Sequence, residues 1–408
     1  MNSHYVPKFI LKNFGERISV YDTHSGKLRE DVQPHKVYTQ SDLYDEETET
    51  KLNKKIESQF ANLFNNKIIK CDGQVVLNMK ELLTVKKYLL INVLRSVDCE
   101  ELCRMERAFY DGMKRYWLSF AKEKGLTAEE TNLALGKMLP PFVERKIEGE
   151  TDFQYWMRTL EVILDTDGTP KAIKKHPDAT YPAHRWSEII NAGYLAFWDA
   201  TETRSNFVIS DIGMTSENEI GWNGYAVQNK KKIDFLSNLA TTEKDPMLIN
   251  EIVNAMYRTQ YFHENFQMFP ISAKRMIVLI APFYKFRYVY RDAYSMPPLC
   301  TLTKLTNEEL FAPNRNKYVL PQTPPHLKHH PDDQYIYDIK KLNDKEVQYC
   351  NALFMDRVLR FLGFSNLSDA VRSIILYKKL NEYPYMPRVD YTDLYKIIEE
   401  RYGGNLNV

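Results

Sequence analysis

No run of about 18 consecutive apolar residues occurs in this 408-residue chain, so no membrane-spanning helix is expected. Glycine is scarce, at 15 residues, and nowhere takes the spacing of a phosphate-cradling loop. Nucleotide binding through a P-loop or a dinucleotide fingerprint is therefore not expected. Also missing are a Gly-x-Ser-x-Gly elbow, a His-Glu-x-x-His pair and a Ser-His-Asp order. The five cysteines (Cys71, Cys99, Cys103, Cys300, Cys350) are odd in number and scattered, which points to reduced thiols and a cytoplasmic location. Cys99 and Cys103 lie one helical turn apart with no second pair at zinc spacing, so helix packing is their expected use. Polar Asn2-Ser3-His4 stands where the basic and apolar regions of a signal peptide would begin, and no such leader is expected. A net charge of +1 excludes the global basic bias of a nucleic-acid coat protein and leaves room for a local patch.

What the chain does have is 44% apolar and 27% charged residues, ordinary for a folded protein, and an unusual 27 tyrosines. Amphipathic aromatics in that number suit polar-tipped core packing, and at a surface they suit stacking or partner contacts. The first fourteen residues carry Tyr5, Val6, Phe9, Ile10, Leu11 and Phe14 around Pro7. Termini are usually frayed and polar. This one must be docked on the body.

Alternation at 18–22, followed by Thr23-His24-Ser25-Gly26, predicts a strand and a turn, and 36–44 reads as a second extended element. Helical spacing follows at about 47–70 (Ile56, Phe60, Leu63, Phe64), 78–123, 127–137, 151–165 and 185–197. Strand character returns at 207–211, at 276–281 and at 284–291, with a helix expected at 245–262. A proline-rich loop at 312–334 precedes three helices, at about 344–362 with Gly363 as C-cap, from about Ser365, and up to Gly403-Gly404. The order β, α, β, α predicts a single large α+β domain, predominantly helical, whose sheet joins N-terminal and central strands around a large helical insertion. Its parts are a docked segment with strands at 1–45, helices at 46–200, central strands with one helix at 201–311, the loop, and C-terminal helices at 335–408.

Several constellations could carry chemistry. His4, stiffened by Pro7, has the residue type of a general base or metal ligand; the alternative is a ring that ties down a packed terminus. Ser210-Asp211 ends an apolar strand, where open sheets place reactive groups and where turns also end strands. Lys285, Arg287 and Arg291 share one face of a predicted strand and Phe286, Tyr288 and Tyr290 the other, a pattern that fits a phosphate backbone and bases, or a half-buried strand. Arg258 and His263 show the Arg-four-residues-His spacing of helical ribonucleases resembling the HEPN fold. His326, His329, His330, Asp332 and Asp333 crowd the proline-rich loop with metal-ligand types on few anchors.

The run Ser3-His4-Tyr5-Val6-Pro7-Lys8-Phe9 resembles the opening of a bacterial family, domain of unknown function 4238, which has no agreed activity. The resemblance implies that His4 is a hallmark position with Tyr5 beside it in support. It also implies that Ser210-Asp211 matches a strand ending in Ser-Asp, here continued by Ile212-Gly213 rather than Asn-Pro. Glu57 matches an acidic helix residue, Arg95 a buried-face arginine late in a helix, and Asn351 an asparagine opening a late helix. An arginine in an apolar stripe needs a carboxylate or a phosphate, so a Glu57–Arg95 pair, an Asp211–Arg95 pair and a phosphate clamp are all open.

The leading expectation is an enzyme acting on phosphate-containing substrates, a nuclease serving as a toxin or phage-defence effector. His4, Asp211 and Arg95 would be catalytic, Lys285, Arg287, Arg291, Ser210 and Asn351 substrate-binding, and Glu57 and Tyr5 supporting. A divalent Mg or Mn ion is the cofactor such a scheme would use, and nucleic acid the partner. The competing expectation is an interaction protein that holds a protein or nucleic acid in an aromatic-rich groove.

Overall fold

The computed structural model describes residues 2–41, 43–95, 99–127, 129–131, 145, 147–216, 266–280, 314–315, 334–380 and 389–402. The architecture is α+β. The terminus is docked, as its apolar content requires. Strand β1 (Asn2–His4) pairs antiparallel with β4 (Thr39–Ser41), setting His4 opposite Thr39. The short helix α1 (Lys8–Leu11) starts at Pro7, whose carbonyl accepts hydrogen bonds from the Ile10 and Leu11 amides. Val6, Ile10, Leu11 and Phe14 are buried, each stabilising the docked state by roughly 1.5–3 kcal/mol. Phe9 joins an aromatic cluster in which the Phe60 and Tyr88 rings stack at 3.8 Å.

Strand β2 (Ile18–Asp22) and the turn after it lie where the sequence places them, and the chain returns at once as β3 (Lys27–Val32), an antiparallel partner that was not expected. They belong to a four-stranded sheet of order β3-β2-β13-β7, where β7 is Ile209–Ser210 and β13 is Phe361–Phe364. N-terminal and central strands thus share a sheet through a late strand. A seven-stranded sheet holds the remaining described central strands in the order β11-β12-β6-β10-β9-β8, with β5 also on β12. These are β5 (Gln74–Asn78), β6 (Tyr194–Asp199), β8 (Thr215–Ser216), β9 (Phe266–Pro270), β10 (Arg275–Ile280), β11 (Asn314–Arg315) and β12 (Gln334–Lys341).

The helices between the sheets begin on clear signals. Helix α2 (Glu46–Leu52) is capped by Asp45, whose carboxylate accepts from the Thr48 amide. It continues into α3 (Ser58–Leu63) through a π-turn at Asn53–Glu57, and a second π-turn at Phe64–Ile68 closes the run. Helix α4 (Met79–Val93) starts on an Asn78/Glu81 capping box; α5 (Cys99–Glu123) follows. Then come α6 (Asp152–Asp165), with a Thr151/Gln154 box, α7 (Pro170–Lys175), α8 (Tyr181–Ala192), α9 (Asp344–Arg357), α10 (Leu367–Leu380) and α11 (Thr392–Tyr402).

Four expectations are corrected. The apolar run 78–123 is two helices, because α4 ends at Val93 with Leu94 as its C-cap and α5 begins at Cys99. The element at 36–44 is only the three-residue β4, preceded by a 3-10 turn at Pro34–Lys36. The helix expected at 185–197 stops at Ala192, and the apolar Tyr194–Asp199 is a central strand; an unbroken apolar run does not distinguish the two. Gly363 is no C-cap, since it lies in β13, where an added Cβ would sit 2.9 Å from Ile209 Cγ2 and against the Tyr38 hydroxyl.

Candidate functional site

His4 lies at the end of β1 with 6% of its surface exposed, and its Nε2 stands 3.1 Å from the His35 carbonyl. A carbonyl only accepts, so Nε2 carries the proton and Nδ1 is bare. Burial, aided by the nearby positive charges of Lys8 and Arg95, pushes the His4 pKa down to about 4. The ring is neutral at pH 7.

The backbone of His4 leads to a charged centre. Its carbonyl accepts from the Tyr44 hydroxyl at 2.9 Å, and that hydroxyl accepts from Arg95 Nε at 2.6 Å. Arg95 sits just after α4 with 1% of its side chain exposed. Its Nη1 donates to Glu57, delivered by the first π-turn, and Nη2 lies 3.6 Å from Glu49 Oε2 on α2. Of the pairings open in the sequence, Glu57–Arg95 is the one formed. Burial raises the Glu49 pKa, with Arg95 and Lys8 opposing it. Arg95 Nη2 and Glu49 Oε2 are both buried and neither has a hydrogen-bond partner. Two members of this centre, Tyr44 and Glu49, were not singled out from sequence. Glu49 had a faint signal, being eight residues before Glu57 on the same predicted helix.

Asp211 answers to other partners. It is 2% exposed, and its carboxylate accepts from three consecutive backbone amides, Leu359 (3.0 Å), Arg360 (2.6 Å) and Phe361 (2.9 Å). Burial raises its pKa while those amides pull it down. Its work is to pin the entry of β13 beside β7. Asp211→Asn replaces one accepting oxygen by an amide group facing a donor, and is expected to lower stability by about 2 kcal/mol in urea unfolding. A loss below about 0.5 kcal/mol would show that these amides do not depend on the charge.

The other expected site residues are equally engaged or lie elsewhere. Tyr5 is buried edge-on to Tyr38 and donates to the Val37 carbonyl. Ser210 pairs with Leu362 across the sheet, and its buried Oγ has no hydrogen-bond partner. Asn351 accepts from the Val208 amide and donates to the Asn206 carbonyl and to Ser373 Oγ, stitching α9 to the approach to β7. Lys285, Arg287, Arg291, the Arg258–His263 pair and the His326–Asp333 cluster lie outside the described residues. Among the described residues no group of three or more His, Cys, Asp or Glu is arranged to hold a metal ion.

A groove of about 680 Å³ runs along one face of α6. Phe153, Gln154, Met157, Arg158, Glu161 and Asp165 recur at helical spacing to form its floor. Ile147 to Glu150 close one end, and Asp45, His176 and Asp178 stand at the sides. Arg158 grips Glu150 through two bonds, at 2.6 and 2.8 Å, and donates to the Asp178 carbonyl, so the floor is rigidly built. The groove adjoins the Arg95 centre: Asp45 follows Tyr44, whose ring lies 6.1 Å from Trp156 on the buried side of α6.

A family model for proteins of unknown function, DUF4238, matches residues 2–366. The chain belongs to that family. The match spans the His4–Arg95 centre, Asp211 and the whole groove. No curated protein and no solved structure matches it. Among the described residues no helix is long and apolar enough to cross a membrane.

Proposed function

We propose that this DUF4238 protein is a non-enzymatic interaction protein that holds a segment of a protein partner in the α6 groove. One contrast carries the reading. The hallmark polar residues spend their bonding capacity inside the fold, His4 on a carbonyl, Arg95 on Glu57 and Tyr44, and Asp211 on three amides. A catalytic residue in the free protein would instead face an open cleft with capacity to spare. The groove is open, which leaves room for a polypeptide segment, and the one arginine in its lining is committed to Glu150 rather than free to clamp a phosphate.

A second reading, the nuclease acting as toxin or defence effector, draws support from Arg95 Nη2 and Glu49 Oε2, which face each other at 3.6 Å without a hydrogen bond to either, near a neutral His4. It ranks second because Arg95 is already balanced by two glutamates, which weakens it as a phosphate clamp. Labelled single- and double-stranded RNA and DNA, incubated with Mg²⁺, Mn²⁺ or EDTA, separate the two. The interaction reading expects no cleavage by the wild-type protein. Cleavage that His4→Gln and Glu49→Gln both abolish, with melting temperatures intact, would establish the nuclease.

A further inference from the structure

We propose that Asp72-Gly73 is a site of spontaneous isoaspartate formation, which the fold singles out from three identical dipeptides; neither reading of the function is needed for this. Among the described residues Asp-Gly occurs at 72–73, 111–112 and 167–168. Glycine favours the reaction because no side chain shields its amide nitrogen. That nitrogen attacks the carboxyl carbon of the preceding aspartic acid. A C–N bond forms, and the carboxyl hydroxyl leaves as water with the amide proton. Water then opens the succinimide ring. Addition at the former side-chain carbonyl restores aspartate. Addition at the former main-chain carbonyl breaks its bond to the glycine nitrogen and leaves isoaspartate, with one extra methylene in the main chain and a free α-carboxylate.

The three sites differ in what holds the reacting groups. Gly112 lies inside α5, where the helical ladder holds its amide. At 167–168 both groups are occupied: the Gly168 amide donates to Thr166 Oγ1 at 3.3 Å, and Asp167 Oδ1 accepts from the Thr169 amide and hydroxyl at 2.9 and 2.6 Å. The Gly168 carbonyl is pinned by Ser187 and Asn191, and a Cβ at this glycine would sit 3.2 Å from Lys87 Cγ. Asp72-Gly73 has none of these restraints. It lies between the second π-turn and β5, with the Asp72 side chain 86% exposed. Gly73 has a φ of +90°, and nothing stands within 4 Å of where its Cβ would be. Among the described residues no protein group accepts from its amide. Asp72 does pair with Lys341 at 3.2 Å, but a bridge this exposed holds weakly, and Lys341 keeps Asp199 at 2.6 Å when Asp72 leaves. The position gives the change a consequence. The Gly73 carbonyl accepts from the Ile339 amide at 2.7 Å, and β5 joins β12 at the next residue. An added methylene displaces that carbonyl at the entry to the seven-stranded sheet.

Peptide mapping of the full chain, aged for weeks at about 37 °C and about pH 6, tests this, with isoaspartate located by electron-transfer fragment ions. A second sample is aged unfolded in guanidinium chloride. Reaction at 111 and 167 waits for local opening, so in the folded chain isoaspartate at 72 is expected to exceed each by about 10-fold. In guanidinium the three sites should react alike. Asp72→Glu, at an exposed position, should abolish the product at 72 and leave the other two sites unchanged. Hydrogen exchange at the Ile339 amide should be faster in the isoaspartyl fraction. Comparable isoaspartate at all three sites in the folded chain would overturn the selection by the fold. Its absence at 72 would overturn the site, and unchanged exchange at Ile339 would overturn the consequence for β12.

Discussion

Arg95→Met is expected to lower the unfolding free energy by about 3–5 kcal/mol, the cost of breaking a buried ion pair from one side. Arg95 is almost fully enclosed, and among the described residues it is the one cation paired with Glu57, whose side chain is 15% exposed. Methionine keeps the stem's packing and deletes the charge. Glu57 and Glu49 are then left as neighbouring carboxylates without a cation between them, and the Tyr44 hydroxyl loses its donor. Like charges in a poorly hydrated place force one of them to bind a proton, so the loss should be larger at pH 8 than at pH 5. The companion variant separates charge from shape. Arg95→Met combined with Glu57→Gln and Glu49→Gln removes every charge and should recover at least half of the loss. Urea unfolding followed by circular dichroism at the two pH values measures both. A single variant within about 1 kcal/mol of wild type would mean that the centre is hydrated and that Arg95 holds nothing together.

How much of this centre could be read in advance depended on distance along the chain. Arg95 announced its need for a partner by lying in an apolar stripe, and Glu57 was named among the candidates; helical periodicity at 47–70 put the carboxylate on an element that packs nearby. The π-turn that swings Glu57 round was invisible, because one extra residue in a turn leaves the composition unchanged. Asp211 stands at a strand end as the sequence places it, but it was singled out there for catalysis and the structure finds it holding backbone amides. Its partners are backbone amides 148 to 150 residues away, and backbone amides have no sequence signature. Strand β6 was hidden by continuity of apolar residues with α8, and β12, long and alternating, lies in a stretch from 335 onward expected to be helical. The strand at 18–22 with its turn and the docked terminus were legible because both are local, alternation and a turn in one case and anchors within ten residues in the other, whereas β3, largely exposed and charged, gave no apolar alternation to read. The α6 groove, lined by carboxylates and one phenylalanine, is not the aromatic-rich groove that the composition led one to expect. No pattern in the sequence shows which face of an amphipathic helix will be left uncovered.

Acid should unfold this protein earlier than its carboxylates alone would require, and two histidines are the cause. His4 and His184, both buried, have pKa values pushed down to about 4 from an ordinary 6.5. In the unfolded chain each takes up a proton as pH falls through 6.5, whereas in the folded chain neither does until about 4. The unfolded state therefore binds more protons across that window. The stabilisation is complete above pH 6.5 and is lost progressively toward pH 4, at most about 3 kcal/mol for each ring. The paired carboxylates with lowered pKa values, Asp22, Asp165, Asp199 and Asp344, act below this window, so they do not mask it. Glu49 and Asp211, raised by burial, act in the opposite sense: they bind protons more readily in the folded state and offset part of the loss. The net expectation is a fall of about 3–5 kcal/mol between pH 6.5 and 4.5, read from urea midpoints at half-unit steps. Glutamine is the informative substitution at His4, because its amide nitrogen can take the place of Nε2 against the His35 carbonyl and does not titrate. His4→Gln together with His184→Gln should flatten the curve above pH 4.5 while leaving the steep acid limb below 4 in place. A wild-type curve already flat from 6.5 to 4.5 would mean that both rings accept protons in the folded state, and that His4 has the access to solvent that a titrating catalytic base needs.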